Sequence, residues 1–338
     1  MNPLVTALSI IYGLGLLGFT IIAAAIWLSN RAKMSPYKRF GWGMGGILIL
    51  FEVAGFITLT ILGEPPDIIS ILIIDVIAFL RIAAFTVVGI HFAALLGYPS
   101  FPILMRRFGV PQMVDEVIDP PQMPNGELVV SDELVETGSE SVEDLPTSIF
   151  NDERDQATAV LSEPVTITPE PRFVYVPDMS TGSIVGAGIA VAVIGIIYSV
   201  VLFWLTEPRI SDLATQMLGE APASAVEQPA VALLTIFVVL SFALAEELIF
   251  RLGIQNICAE KLGWTGDRYW LAIFVATILW TIGHIGVLDP DWVKMAQIFP
   301  MGLLLGWLYK KYGVEACIIA HMLLNVAMIL PAEYLIVS

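Results

Sequence analysis

Charge, cysteine and histidine are all scarce in this chain. Charged residues fill 14% of 338 positions, against roughly 25% in an ordinary soluble domain, while 57% are apolar. No water-facing surface can be made from that composition, so the sequence reads as a membrane protein. Two cysteines, Cys258 and Cys317, are too few for a disulfide framework or a Cys-rich metal site, and both read as small packing residues. P-loop, H-E-x-x-H and C-x-x-C motifs are all missing, and no repeat of fixed period is present. With a net charge of −16, no nucleic-acid partner is expected.

The negative charge is concentrated in one place. Between Pro111 and Ser180 there are 16 Asp/Glu and 2 Lys/Arg, a net of −14, so the remainder of the chain is nearly neutral. This stretch is rich in Pro, Ser, Thr and acids, with Phe150, Phe173 and Tyr175 as its aromatics, and reads as largely disordered. A solvated linker is the plainer reading; a docking module for a cytoplasmic partner, built around the extended-looking run from Val165 to Val176, is the other.

Apolar blocks long enough to cross a bilayer occur at 4–28, 41–62, 68–98, 183–205, 229–257, 270–287, 295–309 and 315–336. The expected fold is an all-α membrane helix bundle of about eight spans. It divides into an amino-terminal three-helix region (1–98), the acidic segment (99–182) and a five-helix region (183–338). Eight alternating crossings put twelve basic residues in inner loops and two, Arg209 and Lys294, in outer ones. By the positive-inside rule both termini then lie outside, with the acidic segment cytoplasmic. The first block has no basic leader and no small-residue cleavage site, and is read as an uncleaved span.

Ionisable residues inside spans are costly and need a partner or a purpose. In the amino-terminal region Glu52 and Arg81 fall near mid-depth and are expected to form a structural ion pair; Asp75 should point away from Arg81, and His91 reads as an interfacial histidine. The five-helix region is richer. Glu246 and Glu247 are adjacent, and Arg251 follows Glu247 by four residues, on the same helical face. Glu246 is turned about 100° from Glu247 and about 140° from Arg251, so it should face another helix. Adjacent carboxylates in a low dielectric resist ionising together, which suits Glu246 to take up a proton as a base. Trp280 with His284, and His321 with Asn325, are i, i+4 pairs, each expected on one helix face.

A carboxylate and an imidazole can share a water and remove its proton, while a second imidazole and an amide donate to the oxyanion that forms. The same residues could alternatively ligate Zn²⁺.

Glu246-Glu247-x-x-x-Arg251, the aromatic Trp280 ahead of His284, and His321-x-x-x-Asn325, in that order on successive membrane helices, resemble the CAAX protease and bacteriocin-processing family of intramembrane endopeptidases. The run from Gly302 through Gly306 to Gly313 is similar to the family's pattern as well. The resemblance covers about a quarter of the chain, from Glu246 to Asn325. It implies that Glu246, helped by His284, activates a water on the scissile carbonyl, that His321 and Asn325 form the oxyanion site, and that Glu247, Arg251 and Trp280 support them. No cofactor is expected on this reading. Trp280 stands where the family usually has Phe, and keeps an aromatic wall. Gly302 with Gly306, and Gly182 with Gly186, predict close helix approach on both sides of the site.

The expected function is therefore hydrolysis of a membrane-associated or prenylated-type peptide near the cytoplasmic side. Three alternatives compete: a catalytically silent binding or immunity-type scaffold, a zinc-dependent endopeptidase on the same residues, and a transporter using Glu52, Asp75, Arg81 and His91.

Overall fold

Each of the eight apolar blocks falls on a helix in the computed structural model, which describes residues 3–31, 34–62, 68–108, 179–211, 229–329 and 336. Helices α1 (Pro3–Ser29), α2 (Ser35–Leu62) and α3 (Ile68–Leu95) come first, followed by the short α4 (Pro102–Phe108). After the acidic segment come α5 (Thr181–Thr206), strand β1 (Arg209–Ile210) and α6 (Pro229–Glu246). The chain continues through a π-helical segment (Glu247–Gln255), α7 (Asn256–Lys261) and α8 (Tyr269–Ile282). Strand β2 (Leu288–Asp289), α9 (Asp291–Tyr312) and α10 (Val314–Ile329) complete it. Three helices among the described residues, Ile10–Ser29, Asp75–Leu95 and Thr181–Thr206, are long and apolar enough to cross a membrane by length and composition alone. Helix α9 carries Lys294 in its first turn and Pro300 in its interior.

Residues 1–114 and 173–338 form one compact unit. Its centre is α3, which is buried all round from Ile82 to Ala94, as a helix apolar on every face should be. It packs on α1, α2 and the π-helical segment. Two glycines permit that last contact: a Cβ at Gly89 would overlap the Leu252 carbonyl oxygen, and one at Gly253 the Phe85 ring. On the other side α5 packs against α9 and α10.

Glu315 joins the amino-terminal helices to α10. Its carboxylate accepts from the Ile103 and Leu104 backbone N–H groups at 2.6 and 2.7 Å, satisfying orphan donors at the start of α4. Nearby, Arg106 Nη2 donates to the Met179 carbonyl at 2.5 Å, so the two ends of the acidic insertion are pinned together. Ser180 caps α5 by accepting from Ser183 N at 3.0 Å. Residues 109–178, and with them nearly all the acidic segment, lie outside the described residues.

Two expectations need revision or qualification. Gly182 and Gly186 are exposed and meet no other helix; the close approaches on α5 are made by Gly188, against Ala316 and Ile319 of α10, and by Gly195, against Met301 of α9. The glycine spacing alone could not show which face of α5 meets its neighbours. Gly302 and Gly306 do pack tightly, within the chain, against Thr277, Trp280 and Ile273 of α8. The Glu52–Arg81 pair falls outside the described residues, because the Glu52 side chain is not among them. Both cysteines are buried and free, Cys317 donating to the Leu305 carbonyl at 3.2 Å.

Candidate active site

Glu246 is the last residue of α6, at the point where the chain widens into the π-helical segment. Such widened turns recur at functional sites. This one is buried from Glu247 to Gln255, so its polar residues must find partners inside the protein. Glu247 and Arg251 remain neighbours despite the wider turn, with Arg251 Nε 3.4 Å from Glu247 Oε2. The other carboxylate oxygen, Glu247 Oε1, lies 2.8 Å from His321 Nδ1 on α10. A carboxylate only accepts, so His321 carries a proton on Nδ1 and turns Nε2 toward Glu246, 3.7 Å from its Oε2. The chain Arg251–Glu247–His321 is dry, with side-chain exposures of 0%, 1% and 4%.

Glu246 faces the other way, as its rotation from Arg251 predicts. Its side chain is 25% exposed and that of His284 21%, and both line one cavity of about 450 Å³. Trp280 Nε1 donates to Glu246 Oε2 at 2.7 Å, which leaves Oε1 toward His284 Nε2 at 3.8 Å. The Trp280 ring is a hub: the Arg251 guanidinium stacks 4.7 Å from its centroid, and the His284 and His321 rings meet it edge-on at 5.4 Å. The aromatic wall inferred from sequence therefore also supplies a hydrogen bond that phenylalanine could not.

His284 is not on the helix, contrary to the i, i+4 reading. Helix α8 stops at Ile282, and a turn through Gly283 to Gly286 follows, with Gly286 at φ 87°. The imidazole still folds back over Trp280, placing Nδ1 2.9 Å from the Trp280 carbonyl oxygen. A carbonyl accepts, so Nδ1 is the donor, and Nε2 of the neutral ring offers its lone pair to the cavity beside Glu246.

The cavity is walled by three helical stripes at helical spacing. Val239, Phe242 and Glu246 come from α6; Lys294, Gln297, Ile298 and Met301 from α9; and His321, Leu324, Asn325 and Met328 from α10. Asn325 thus reaches the same space as His321, although it makes no bond to it. Phe203, Ile210 and Leu288 close the wall at the β1–β2 end. Phe203 lies about 33 Å along α5 from Thr181, where the acidic segment attaches. The cavity therefore sits toward the end of α5 away from the attachment of that segment.

Three residues that sequence reasoning passed over belong to the site. Lys294, counted among outer-loop cations, is in the first turn of α9 and lines the cavity beside Gln297. Tyr12 of α1 puts its hydroxyl against Gly283, where a Cβ would sit 2.8 Å from it. The stripe at 294, 297, 298 and 301 was a readable signal for the first two; nothing in the sequence linked Tyr12 to Gly283.

Residues 228–327, which take in Glu246, Glu247, Arg251, Trp280, His284, His321 and Asn325, match the family described as type II CAAX prenyl endopeptidase Rce1-like. An 88-residue stretch is 27% identical to the sporulation-killing factor biosynthesis protein SkfC of Bacillus subtilis (strain 168), covering 26% of this chain and 17% of that protein. No solved structure matches the chain. The resemblance read from the motifs is therefore upheld.

Proposed function

From the Rce1-like character of residues 228–327, we propose that the protein is an intramembrane endopeptidase whose general base is Glu246. The observation that carries this is the orientation of Glu246: Trp280 holds Oε2, while Oε1 and His284 Nε2 stand 3.8 Å apart at the cavity wall. That separation is too long for a direct hydrogen bond and suits a water held by both. Glu246 takes a proton from this water as its oxygen attacks the scissile carbonyl carbon. The tetrahedral oxyanion is met by His321, in the ring form protonated at Nε2 with Nδ1–H on Glu247, and by the Asn325 amide. Glu246 then returns its proton to the departing nitrogen as the C–N bond breaks, leaving a carboxyl product and an amine.

The apolar wall of Phe203, Phe242, Leu324 and Met328 suits a membrane-associated peptide, a lipidated one included. With both termini outside, as the distribution of basic residues implies, the cavity would work in the outer half of the bilayer. The zinc-dependent reading has less support: the described residues contain no group of three His, Cys, Asp or Glu arranged to hold a metal ion, and one oxygen of Glu246 is engaged by Trp280.

The test is cleavage of a quenched peptide library by purified protein, with and without a chelator, beside Glu246→Gln. Chelator-resistant cleavage that falls about 10³-fold or more in the variant is expected. A folded Glu246→Gln protein that cleaves at the wild-type rate would overturn the assignment and favour the scaffold reading.

A further inference from the structure

One cation in the cavity wall has no task in the chemistry above. Lys294 is the fourth residue of α9, where a positive charge opposes the helix dipole, and it stands beside apolar neighbours that desolvate it. Asp291, in the same turn, already supplies the favourable charge and accepts from Gly286 N at 2.8 Å. Neither helix stability nor burial explains a lysine at this position.

Nor does an ion pair. Lys294 Nζ donates to the neutral Gln297 Oε1 at 2.9 Å, and no carboxylate among the described residues lies within ion-pairing distance of it. Gln297 is buried and is itself held, donating to Ser199 Oγ at 3.0 Å. The ammonium is thus oriented by a fixed neutral partner and keeps further N–H donors for something that enters the cavity. The remaining charges on the wall are Glu246 and the imidazoles near it, so an anion entering the cavity is repelled from the reacting carboxylate and drawn to Lys294.

We propose that Lys294 seats a carboxylate of the peptide substrate, and so sets which way the peptide lies across Glu246. The carboxylate is either the substrate's own C-terminus or an Asp or Glu side chain; both present the same chemistry to the ammonium. The inference rests on the peptidase reading for the nature of the ligand, and on Lys294, Gln297 and Ser199 for its position.

Three matched peptide pools test it on the full-length protein: one with a free C-terminal carboxylate and no Asp or Glu, one amidated without acids, and one amidated with a single Asp or Glu. For each, kcat/KM is measured with wild type, Lys294→Met, Lys294→Gln and Lys294→Arg, and equilibrium binding with Glu246→Gln alone and with Glu246→Gln combined with Lys294→Met. One carboxylate-bearing pool should exceed the neutral pool by about tenfold or more, the worth of a charge-assisted hydrogen bond. Lys294→Arg should keep the preference, and both neutral variants should bring the ratio near one. Preference for the first pool identifies the C-terminus; preference for the third identifies a side chain. Cleavage with the same ratio in Lys294→Met as in wild type overturns the seat and leaves the peptidase standing. Absence of cleavage in wild type overturns the peptidase, and binding then decides: a preference lost with Lys294 upholds the carboxylate seat, and its absence overturns that too.

Discussion

Two polar clusters lie at opposite ends of the π-helical segment and of α8, and differ in one respect. At one end of the bundle Gln255, Asn256, Tyr269 and Tyr309 are fully buried and bonded to one another: Gln255 Nε2 donates to Tyr269 Oη at 3.0 Å, and Tyr269 Oη to Asn256 Oδ1 at 2.9 Å. Asn256 also ties the π-helical segment to α3 through the Gly89 carbonyl at 3.3 Å. At the other end Glu246 and His284 are a fifth to a quarter exposed, and the gaps from Glu246 to the two imidazoles are 3.8 and 3.7 Å, too long for hydrogen bonds. The buried network, in which Gln255 Oε1 alone is left without a partner, holds helices together; the open one keeps capacity for a reacting molecule. In an apolar chain, satisfaction of hydrogen bonds separates scaffold from site better than polarity does.

Substitution at the two ends should separate them. His284→Ala should lower kcat about 10²- to 10³-fold at a cost of only about 1 kcal/mol in stability, since from the fold it removes just the hydrogen bond to the Trp280 carbonyl; peptide turnover alongside thermal unfolding checks both. Asn256→Leu should do the reverse, costing about 1–3 kcal/mol of stability by stranding the Tyr269 and Tyr309 hydroxyls, with kcat/KM of the folded fraction nearly unchanged. Trp280→Phe keeps the ring but removes the donor to Glu246 Oε2, and a loss of about tenfold in kcat is expected in the same assay. Smallest of all, replacing residues 111–176 with a short Gly-Ser linker should leave the unfolding free energy within about 0.5 kcal/mol, because Arg106 and Met179 already bring the ends together.

What could be read beforehand followed from helical periodicity. Block length located the helices, and angular spacing set Glu247 toward Arg251 and Glu246 away from it. The failures share a cause in contacts distant in sequence. His284 leaves its helix because Gly283 and Gly286 end α8, whereas the i, i+4 reading assumed an unbroken helix. The glycines of α5 that matter are those meeting Ala316 and Met301, which lie more than a hundred positions away. Lys294 counted as an outer-loop cation because the block boundary fell one residue after it. Trp280 read as a wall because its hydrogen bond depends on Glu246 of another helix.

The two-residue ladder between β1 and β2 pairs Arg209 with Asp289 and Ile210 with Leu288 across the rim of the cavity. Arg209, Ile210 and Asp289 are exposed, and open strand edges are not tolerated against hydrocarbon. That rim must then lie at headgroup level, where extended backbone is hydrated. For the proposed peptidase, a substrate segment already uncoiled at the bilayer surface would present its peptide bond there directly, with no unwinding from a transmembrane helix.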